Sequence, residues 1–281
     1  MSKHLIFCTL IAFSFFACKR DAGNSDAGGN GVDSTGMGQF AGDEAFKDAH
    51  ATPGEANFMP SGTMVTFKTP DGKTAKAYTL LPEGKAKKYL FVIHEWWGLN
   101  DHVKKEAQRL FEELDSVAVM ALDVYDGKVA DDPDKAAKYM ESVKEARAEA
   151  IIKGALQYAG KDAEIGTVGW CFGGGWSLRA SILAGNQGTA CVMYYGMPVQ
   201  TAEELAALKA PVLAIFARQD QWITPEVAKS FKDLALATGK QLQLNMFDAD
   251  HAFANPSNPN FNQDIAQRAN GIALQFIKDN L

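Results

Sequence analysis

A cysteine flanked by glycines stands where an apolar run gives way to a helical pattern. Residues 169–173 read Gly-Trp-Cys-Phe-Gly, which has the form Gly-x-nucleophile-x-Gly. The pentapeptide follows a predicted strand and opens a predicted helix, and this context favours a nucleophile elbow in which Cys171 replaces serine. Glycines two residues to either side fit a strained turn that has no room for side chains. The pentapeptide by itself is equally typical of a glycine-rich packing turn.

The partners of Cys171 are predicted by elimination. A nucleophilic cysteine needs a base, most often histidine, and His251 is the only one of five histidines that follows the elbow. The orienting acid is expected at the end of another strand, where Asp220 stands. The order Cys171, Asp220, His251 is typical of α/β-hydrolases. Asp248 and Asp250 remain alternative acids, although their closeness to His251 favours a role in a turn.

Strands and helices alternate along the part of the chain that would position these residues. Such alternation predicts an α/β-hydrolase fold, a mostly parallel sheet with helices on both faces. Ligands of such sheets bind beyond the carboxyl ends of the strands. The predicted strands are 64–69, 75–81, 89–94, 117–125, 165–171, 190–196, 211–217 and 242–248, and the predicted helices are 102–114, 132–159 (one long helix or two), 174–185, 224–239 and about 262–278.

Composition excludes several classes of protein. The 281 residues carry a net charge of −6 with no basic excess, so nucleic acid is not an expected partner. Four cysteines are too few for a disulfide scaffold, and no Cys-x-x-Cys pair indicates a zinc site. Cys191 lies inside an apolar run and is expected in the core.

The first eighteen residues indicate export. Lys3 precedes an uncharged apolar run over 5–17, which is shorter than the about 20 residues of a spanning helix and fits a signal-peptide core. Because Ala17-Cys18 follows, the segment resembles a bacterial lipoprotein signal in which Cys18 is lipidated; Phe15 and Phe16 depart from that pattern. The alternative is an ordinary secretory signal cleaved nearby. Localisation is therefore predicted as a periplasmic or cell-surface lipoprotein, anchored to a bacterial membrane by lipid.

Three segments are predicted from this pattern. Residues 1–18 form the signal peptide, 19–61 a flexible tether with a transitional part, and 62–281 a single catalytic domain. In the tether, fourteen of the eighteen residues 21–38 are Gly, Asp, Asn, Ser or Thr, which bury too little apolar surface to fold. Phe40, Phe46 and Phe58 are expected to dock on the domain in a way that the sequence does not define.

Residues 62–281 resemble the dienelactone hydrolase family of α/β-hydrolases. The resemblance rests on several motifs taken together, of which only the cysteine elbow is specific by itself. These are Gly-Trp-Cys-Phe-Gly-Gly-Gly at 169–175, Asp220 after its strand, His-Ala-Phe at 251–253, His-Glu-Trp-Trp-Gly at 94–98 and Leu-Asp-Val-Tyr at 122–125.

The resemblance implies further site residues. Glu95 is expected beside the nucleophile, where it helps to activate the thiol when substrate binds; a carboxylate at this strand end alternatively caps the next helix. The resemblance further implies an oxyanion hole made by backbone N–H groups of Trp96 and Phe172. Tyr125 resembles the family tyrosine near the nucleophile, with a purely structural hydroxyl as the alternative. Trp97, for which core packing is the default interpretation, and Phe253 are the other predicted substrate contacts. No metal or cofactor is needed for this reaction, and a monomer is expected.

One departure from the family pattern bears on the substrate. Dienelactone-specific members hold the substrate carboxylate with arginines, but Lys128 and Asn255 occupy the corresponding stretches here. Lys128 or Arg218 is the candidate replacement. The predicted function is therefore hydrolysis of a small-molecule carboxylic ester or lactone through a thioester acyl-enzyme, with dienelactone itself doubtful. The alternatives are a redox-active thiol protein and a non-catalytic surface-binding lipoprotein on a hydrolase scaffold.

Overall fold

Eight strands form one sheet in the part of the chain that the structure describes. The structure is a computed structural model that describes Met1 and residues 36–281. The predicted signal peptide and Cys18 lie outside the described residues and stay predictions. The strands are β1 (Thr63–Lys68), β2 (Thr74–Leu80), β3 (Lys88–Ile93), β4 (Val117–Leu122), β5 (Glu164–Trp170), β6 (Gly188–Tyr194), β7 (Val212–Ala217) and β8 (Leu242–Phe247).

The strand order is β1-β2-β4-β3-β5-β6-β7-β8. Strand β2 pairs antiparallel with β1 and with β4, and every other pair in the sheet is parallel. All residues of β4 and β7 are buried, which is why these strands read as continuous apolar runs rather than as alternating patterns. The prediction of an α/β fold with a mostly parallel sheet is confirmed.

The helices cover the sheet and follow the predicted order with two differences. The predicted segment 132–159 contains two helices, and the first begins where the Asp132 side chain accepts a hydrogen bond from the Lys135 N–H at 2.8 Å. Short helices at 44–48 and 202–205 were not predicted, because they are only one turn long. The helices are α1 (Glu44–Asp48), α2 (Asp101–Glu113), α3 (Pro133–Glu141), α4 (Glu145–Ala159), α5 (Phe172–Ala184), α6 (Ala202–Leu205), α7 (Pro225–Ala237) and α8 (Gln263–Asn280).

Residues 36–50 pack on the domain, although the sequence placed them in the tether and transitional segment. A 3-10 turn (Met37–Phe40) precedes α1, and the side chains of Met37 and Phe46 have no exposed surface. Asp43 caps α1 by accepting hydrogen bonds from the N–H groups of Ala45 and Phe46. The packed part of the chain therefore begins before residue 62. Within the described residues, no helix has the length and apolarity that crossing a membrane requires.

Candidate active site

Cys171 lies in a strained turn between β5 and α5. Its φ of 53° and ψ of −120° fall in a region that non-glycine residues rarely occupy, and such strain is typical of functional positions. A side chain at Gly173 would collide with the backbone oxygens of Ile93 and His94, and one at Gly169 would collide with the backbone of Gly173. The flanking glycines are therefore required by close backbone contacts, as the sequence predicted.

The structure brings the three predicted catalytic side chains into one hydrogen-bonded chain. The distance between His251 Nε2 and Cys171 Sγ is 3.3 Å, and that between His251 Nδ1 and Asp220 Oδ2 is 2.6 Å. Cys171 and His251 have no exposed surface. Because Asp220 accepts at Nδ1, the other ring nitrogen of His251 is the one that faces the thiol.

Asp220 is itself held in place by its own loop. Its Oδ1 atom accepts hydrogen bonds from the backbone N–H groups of Trp222 at 2.9 Å and Ile223 at 2.8 Å, so Oδ2 is left for His251. The alternative acid Asp248 instead accepts a hydrogen bond from the side chain of Gln219 at 2.9 Å.

The electrostatics of the site favour a charged imidazole. Burial disfavours the imidazolium form of His251, but the Asp220 carboxylate and the Cys171 sulfur outweigh burial and raise the pKa of His251 to about 10. Cys191, in contrast, is a core residue within 3.9 Å of Ser177 Oγ, and burial raises the pKa of its thiol to about 11. This thiol stays protonated at neutral pH, whereas Cys171 has a base in contact.

Glu95 is a buried carboxylate whose partner was not predicted. The Asn255 Nδ2 atom donates to both carboxylate oxygens at 2.8 Å, and Asn255 Oδ1 accepts from the Ser257 hydroxyl and N–H. Burial raises the pKa of Glu95 to about 7, against the opposing effects of Asn255 and His251. Glu95 therefore titrates near neutral pH and acts electrostatically on His251, and it does not cap α2, whose cap is Asn100.

Two backbone N–H groups are available where the oxyanion hole was predicted. Phe172 is the first residue of α5, and the first N–H groups of a helix have no acceptor inside the helix. Trp96 lies in the loop that follows β3. Gly173, near the start of α5, packs closely against the backbone of Ile93 and His94, so this loop begins beside the first turn of α5. Both residues come from the two loops that supply this site in α/β-hydrolases.

The profile of the dienelactone hydrolase family matches residues 75–281. The chain belongs to the dienelactone hydrolase family. It is thereby a hydrolase of the class that acts on carboxylic esters and lactones.

Individual relatives of the chain are distant. "Protein usf" of Aquifex pyrophilus is 27% identical over 233 residues, which cover 78% of this chain and 99% of that protein. A carboxymethylenebutenolidase of a Pseudomonas species is 30% identical over 118 residues, or 42% of this chain and 48% of that protein. The crystal structure of dienelactone hydrolase from Anabaena variabilis superposes with a TM-score of 0.59 at 16% identity, covering 80% of this chain and 100% of that one. This structural likeness shows the fold.

Three side chains that were predicted to contact the substrate lie in the core. Trp97 packs on Trp96 with ring centroids 4.9 Å apart, Tyr125 packs on Phe172 at 5.3 Å, and Phe253 is wholly buried. Trp97, Tyr125 and Phe253 are at most 4% exposed, because neighbouring aromatic rings cover them. Cys171 and His251 are covered to the same degree, so contact of these three side chains with substrate stays a prediction.

The open surface beside the site is a groove of about 900 Å³. Glu95 and Asn255 line it, together with Trp170, the segment 55–58 and side chains of α2 and α8. The candidate replacements for the family arginines lie elsewhere: the Lys128 ammonium lies 5.4 Å from the ring centre of Tyr139, and Arg218 is exposed. Asn255 stands in the stretch where the family resemblance implies an arginine after His251-Ala252-Phe253, and its neutral amide holds Glu95 instead.

Residues 36–50, called the N-terminal segment below, pack against the buried side chain of His251. The Phe46 ring lies 5.3 Å from Trp96, 5.2 Å from Trp222 and 5.9 Å from His251. His50 follows it, with its ring 5.5 Å from that of His251. Both residues precede the part of the chain that matches the dienelactone hydrolase family, and nothing in their spacing pointed to the active site.

Proposed function

We propose that the protein hydrolyses carboxylic esters or lactones through a thioester formed on Cys171. The observation that supports this proposal is the continuous hydrogen-bonded chain from Asp220 through His251 to Cys171 at a strained elbow. Nucleophile, base and orienting acid in this geometry form the general arrangement for acyl transfer.

The reaction follows from these contacts in two halves. With the proton on His251 Nε2, the Cys171 thiolate attacks the ester carbonyl carbon. The N–H groups of Trp96 and Phe172 stabilise the resulting oxyanion. When the tetrahedral intermediate collapses, the C–O bond breaks and His251 returns the proton to the leaving alcohol. His251 then takes a proton from water, the hydroxide attacks the thioester, and the acid leaves as the thiol is restored.

Glu95 is proposed to assist as an ionised carboxylate. It lies close enough to His251 for the two groups to influence each other electrostatically, and negative charge there stabilises the imidazolium that forms with the thiolate. Asn255 keeps this carboxylate in place through a neutral amide. Position 255 carries asparagine rather than the arginine that would hold a substrate carboxylate. We therefore propose that the acyl group of the substrate is uncharged.

A panel of esters and lactones tests the proposed function. The full-length protein in detergent is assayed with neutral p-nitrophenyl esters, neutral lactones and a lactone that carries a carboxylate. We expect turnover of the neutral substrates, with kcat/KM for the carboxylate-bearing lactone lower by at least about tenfold, since burying an unpaired charge costs more than 1.4 kcal/mol. A preference for the anionic lactone would contradict the proposed substrate class, and no turnover of any substrate would contradict the proposed function.

The pH dependence of kcat/KM is expected to be bell-shaped. Activity rises as pH rises through about 7, where Glu95 ionises, and falls above about 10, where His251 loses the proton that it gives to the leaving alcohol. Glu95→Gln should lower the plateau by about 10²-fold and remove the rising limb near 7. The control is Glu112→Gln, another groove-lining carboxylate, which should leave both limbs in place. A rising limb that persists in Glu95→Gln would assign this ionisation to another group.

We also propose that the protein is an exported lipoprotein attached through Cys18. The support is the sequence: the apolar run at 5–17 ends in Ala17-Cys18, and a glycine-rich tether follows. In a bacterial host fed a labelled fatty acid, wild type should take up the label and remain with the membrane fraction. Cys18→Ser should lose the label, whereas Cys8→Ser should retain it. Equal labelling of wild type and Cys18→Ser would contradict lipidation at this position.

A further inference from the structure

Three metal-ligating side chains meet at the nucleophile. Among the described residues, His50, Cys171 and His251 each offer one ligand atom, and these three atoms lie within 4.8 Å of one another. The three side chains are at most 1% exposed. The mechanism above uses Cys171 and His251 and gives no task to His50.

Both histidines already have the hydrogen bonds that metal-bound histidines usually have. His50 Nδ1 lies 2.6 Å from the Phe46 carbonyl oxygen, which only accepts, so Nδ1 carries the proton. His251 Nδ1 is held by Asp220 at 2.6 Å in the same way. Metal ligands of this type donate the N–H of one ring nitrogen to a carbonyl or carboxylate and bind the ion with the other.

The Nε2 atom of His50 is a buried acceptor without a partner. It has no hydrogen bond within the described part of the chain, and buried polar atoms normally have one. Because Nδ1 carries the proton of the neutral ring, Nε2 presents a lone pair. A bound cation would satisfy this lone pair.

We propose that His50, Cys171 and His251 form a binding site for a thiophilic d10 cation such as Zn²⁺. A thiolate with two imidazoles suits zinc or copper(I) and is a poor site for Mg²⁺ or Ca²⁺. The ion displaces the single proton shared by Cys171 and His251, which leaves to solvent, and no electron is transferred. Three protein ligands leave a fourth tetrahedral position for water.

The spacing fits with a small adjustment. Bond lengths of 2.3 Å to sulfur and 2.0–2.1 Å to nitrogen place tetrahedral ligand atoms about 3.3–3.7 Å apart. The pair His251 Nε2 and Cys171 Sγ is already at 3.3 Å, and His50 needs to approach by at most about 1.5 Å from the 4.8 Å limit. The nearby carboxylates of Asp220 and Glu95 compensate the charge of a dication in a buried site.

The consequence is reversible inhibition of the hydrolase. A cation on Cys171 blocks the nucleophile and occupies the base, so the enzyme is inactive in proportion to metal occupancy. His50 strengthens the complex without taking part in hydrolysis. His50 lies in the N-terminal segment, outside the residues 75–281 that match the family. Inhibition by metal therefore depends on this segment as well as on Cys171 and His251.

Zinc titration of the full-length protein tests the proposal. After removal of metal with a chelator, Zn²⁺ is titrated against a chromophoric competing chelator, and ester hydrolysis is measured in parallel. Wild type should bind one ion per chain and lose activity in step with occupancy. His50→Gln, which keeps a similar volume, should retain metal-free activity within about twofold and bind Zn²⁺ at least about tenfold more weakly, a loss of about 1.4 kcal/mol. The control His102→Gln, at a partly exposed histidine away from Cys171, should bind Zn²⁺ as wild type does.

A second readout does not depend on turnover or on the His50 variant. Cobalt(II) bound at the site should give thiolate-to-metal charge transfer and the intense d–d bands of tetrahedral coordination, and Cys171→Ser should lose the charge-transfer band. Equal Zn²⁺ affinity in wild type and a folded His50→Gln, or absence of the thiolate band in wild type, would overturn the proposed site. Because both readouts report binding, this outcome is distinguishable from failure of the proposed hydrolysis.

Discussion

Replacing Cys171 by alanine should lower kcat/KM for an activated neutral ester by at least about 10⁴-fold. Without the thiol, no thioester forms, and the remaining oxyanion donors provide only the small acceleration seen when the nucleophile of such a triad is removed. The effect should appear almost entirely in kcat, because the side chain is wholly buried and contacts the reacting carbon only during attack.

The matched control is the second described cysteine. Cys191 is also free and buried, but it lies in β6 beside Ser177 and has no base in contact. Cys191→Ala should therefore keep turnover close to that of wild type once folding is verified by thermal melting. Unchanged turnover in Cys171→Ala would refute the nucleophile. If wild type does not turn over esters but forms a sulfenic acid at Cys171 under peroxide, the redox-active thiol protein would be the better interpretation.

Asp220→Asn should lower kcat by about 10⁴-fold, the loss known for the same change in a serine-protease triad. The carboxylate accepts a hydrogen bond from His251 Nδ1, with Nδ1 and Oδ2 2.6 Å apart, and its charge stabilises the imidazolium. An asparagine at position 220 donates an N–H to Nδ1 of His251, so the ring proton moves to Nε2. The Nε2 atom can then no longer accept the proton of Cys171. The descending limb near pH 10 should shift to lower pH, because the main charge that raises the pKa of His251 is gone.

The alternative acids serve as controls for this prediction. Asp248 accepts a hydrogen bond from Gln219, and Asp250 is exposed. Asp248→Asn and Asp250→Asn should change kcat by less than about tenfold, since neither carboxylate contacts the base. A loss of about 10⁴-fold in Asp248→Asn combined with an active Asp220→Asn would reverse the assignment of the orienting acid.

Local patterns were sufficient for most of the fold. Continuous apolar runs marked the buried strands β3, β4 and β7, because strands covered on both faces need no polar side. The sequence did not decide whether 132–159 forms one helix or two, because residues 142–144 keep the helical spacing. In the structure α3 ends at Glu141 and α4 begins at Glu145. The one-turn helices α1 and α6 were missed because so few residues produce no periodic signal.

Contacts between distant residues were beyond the sequence. His50 and Cys171 are 121 positions apart, and no spacing rule links them, yet burial of Phe46 against Trp96 and Trp222 brings His50 to the thiol. The Asn255 to Glu95 bond spans 160 positions. The only signal for Asn255 in the sequence was its departure from the arginine that the family resemblance implied.

The sheet, the elbow and the order of Cys171, Asp220 and His251 were predictable from the sequence, because strand patterns and the glycine-flanked elbow motif are local in the chain. Only the folded chain shows that Asp220 and not Asp248 is hydrogen-bonded to His251, that an amide holds Glu95, and that the N-terminal segment places a second histidine beside Cys171. The physical reason is that burial and hydrogen-bond partners depend on which surfaces meet in the folded chain. In this protein, those contacts join an otherwise recognisable hydrolase centre to a segment outside its family domain.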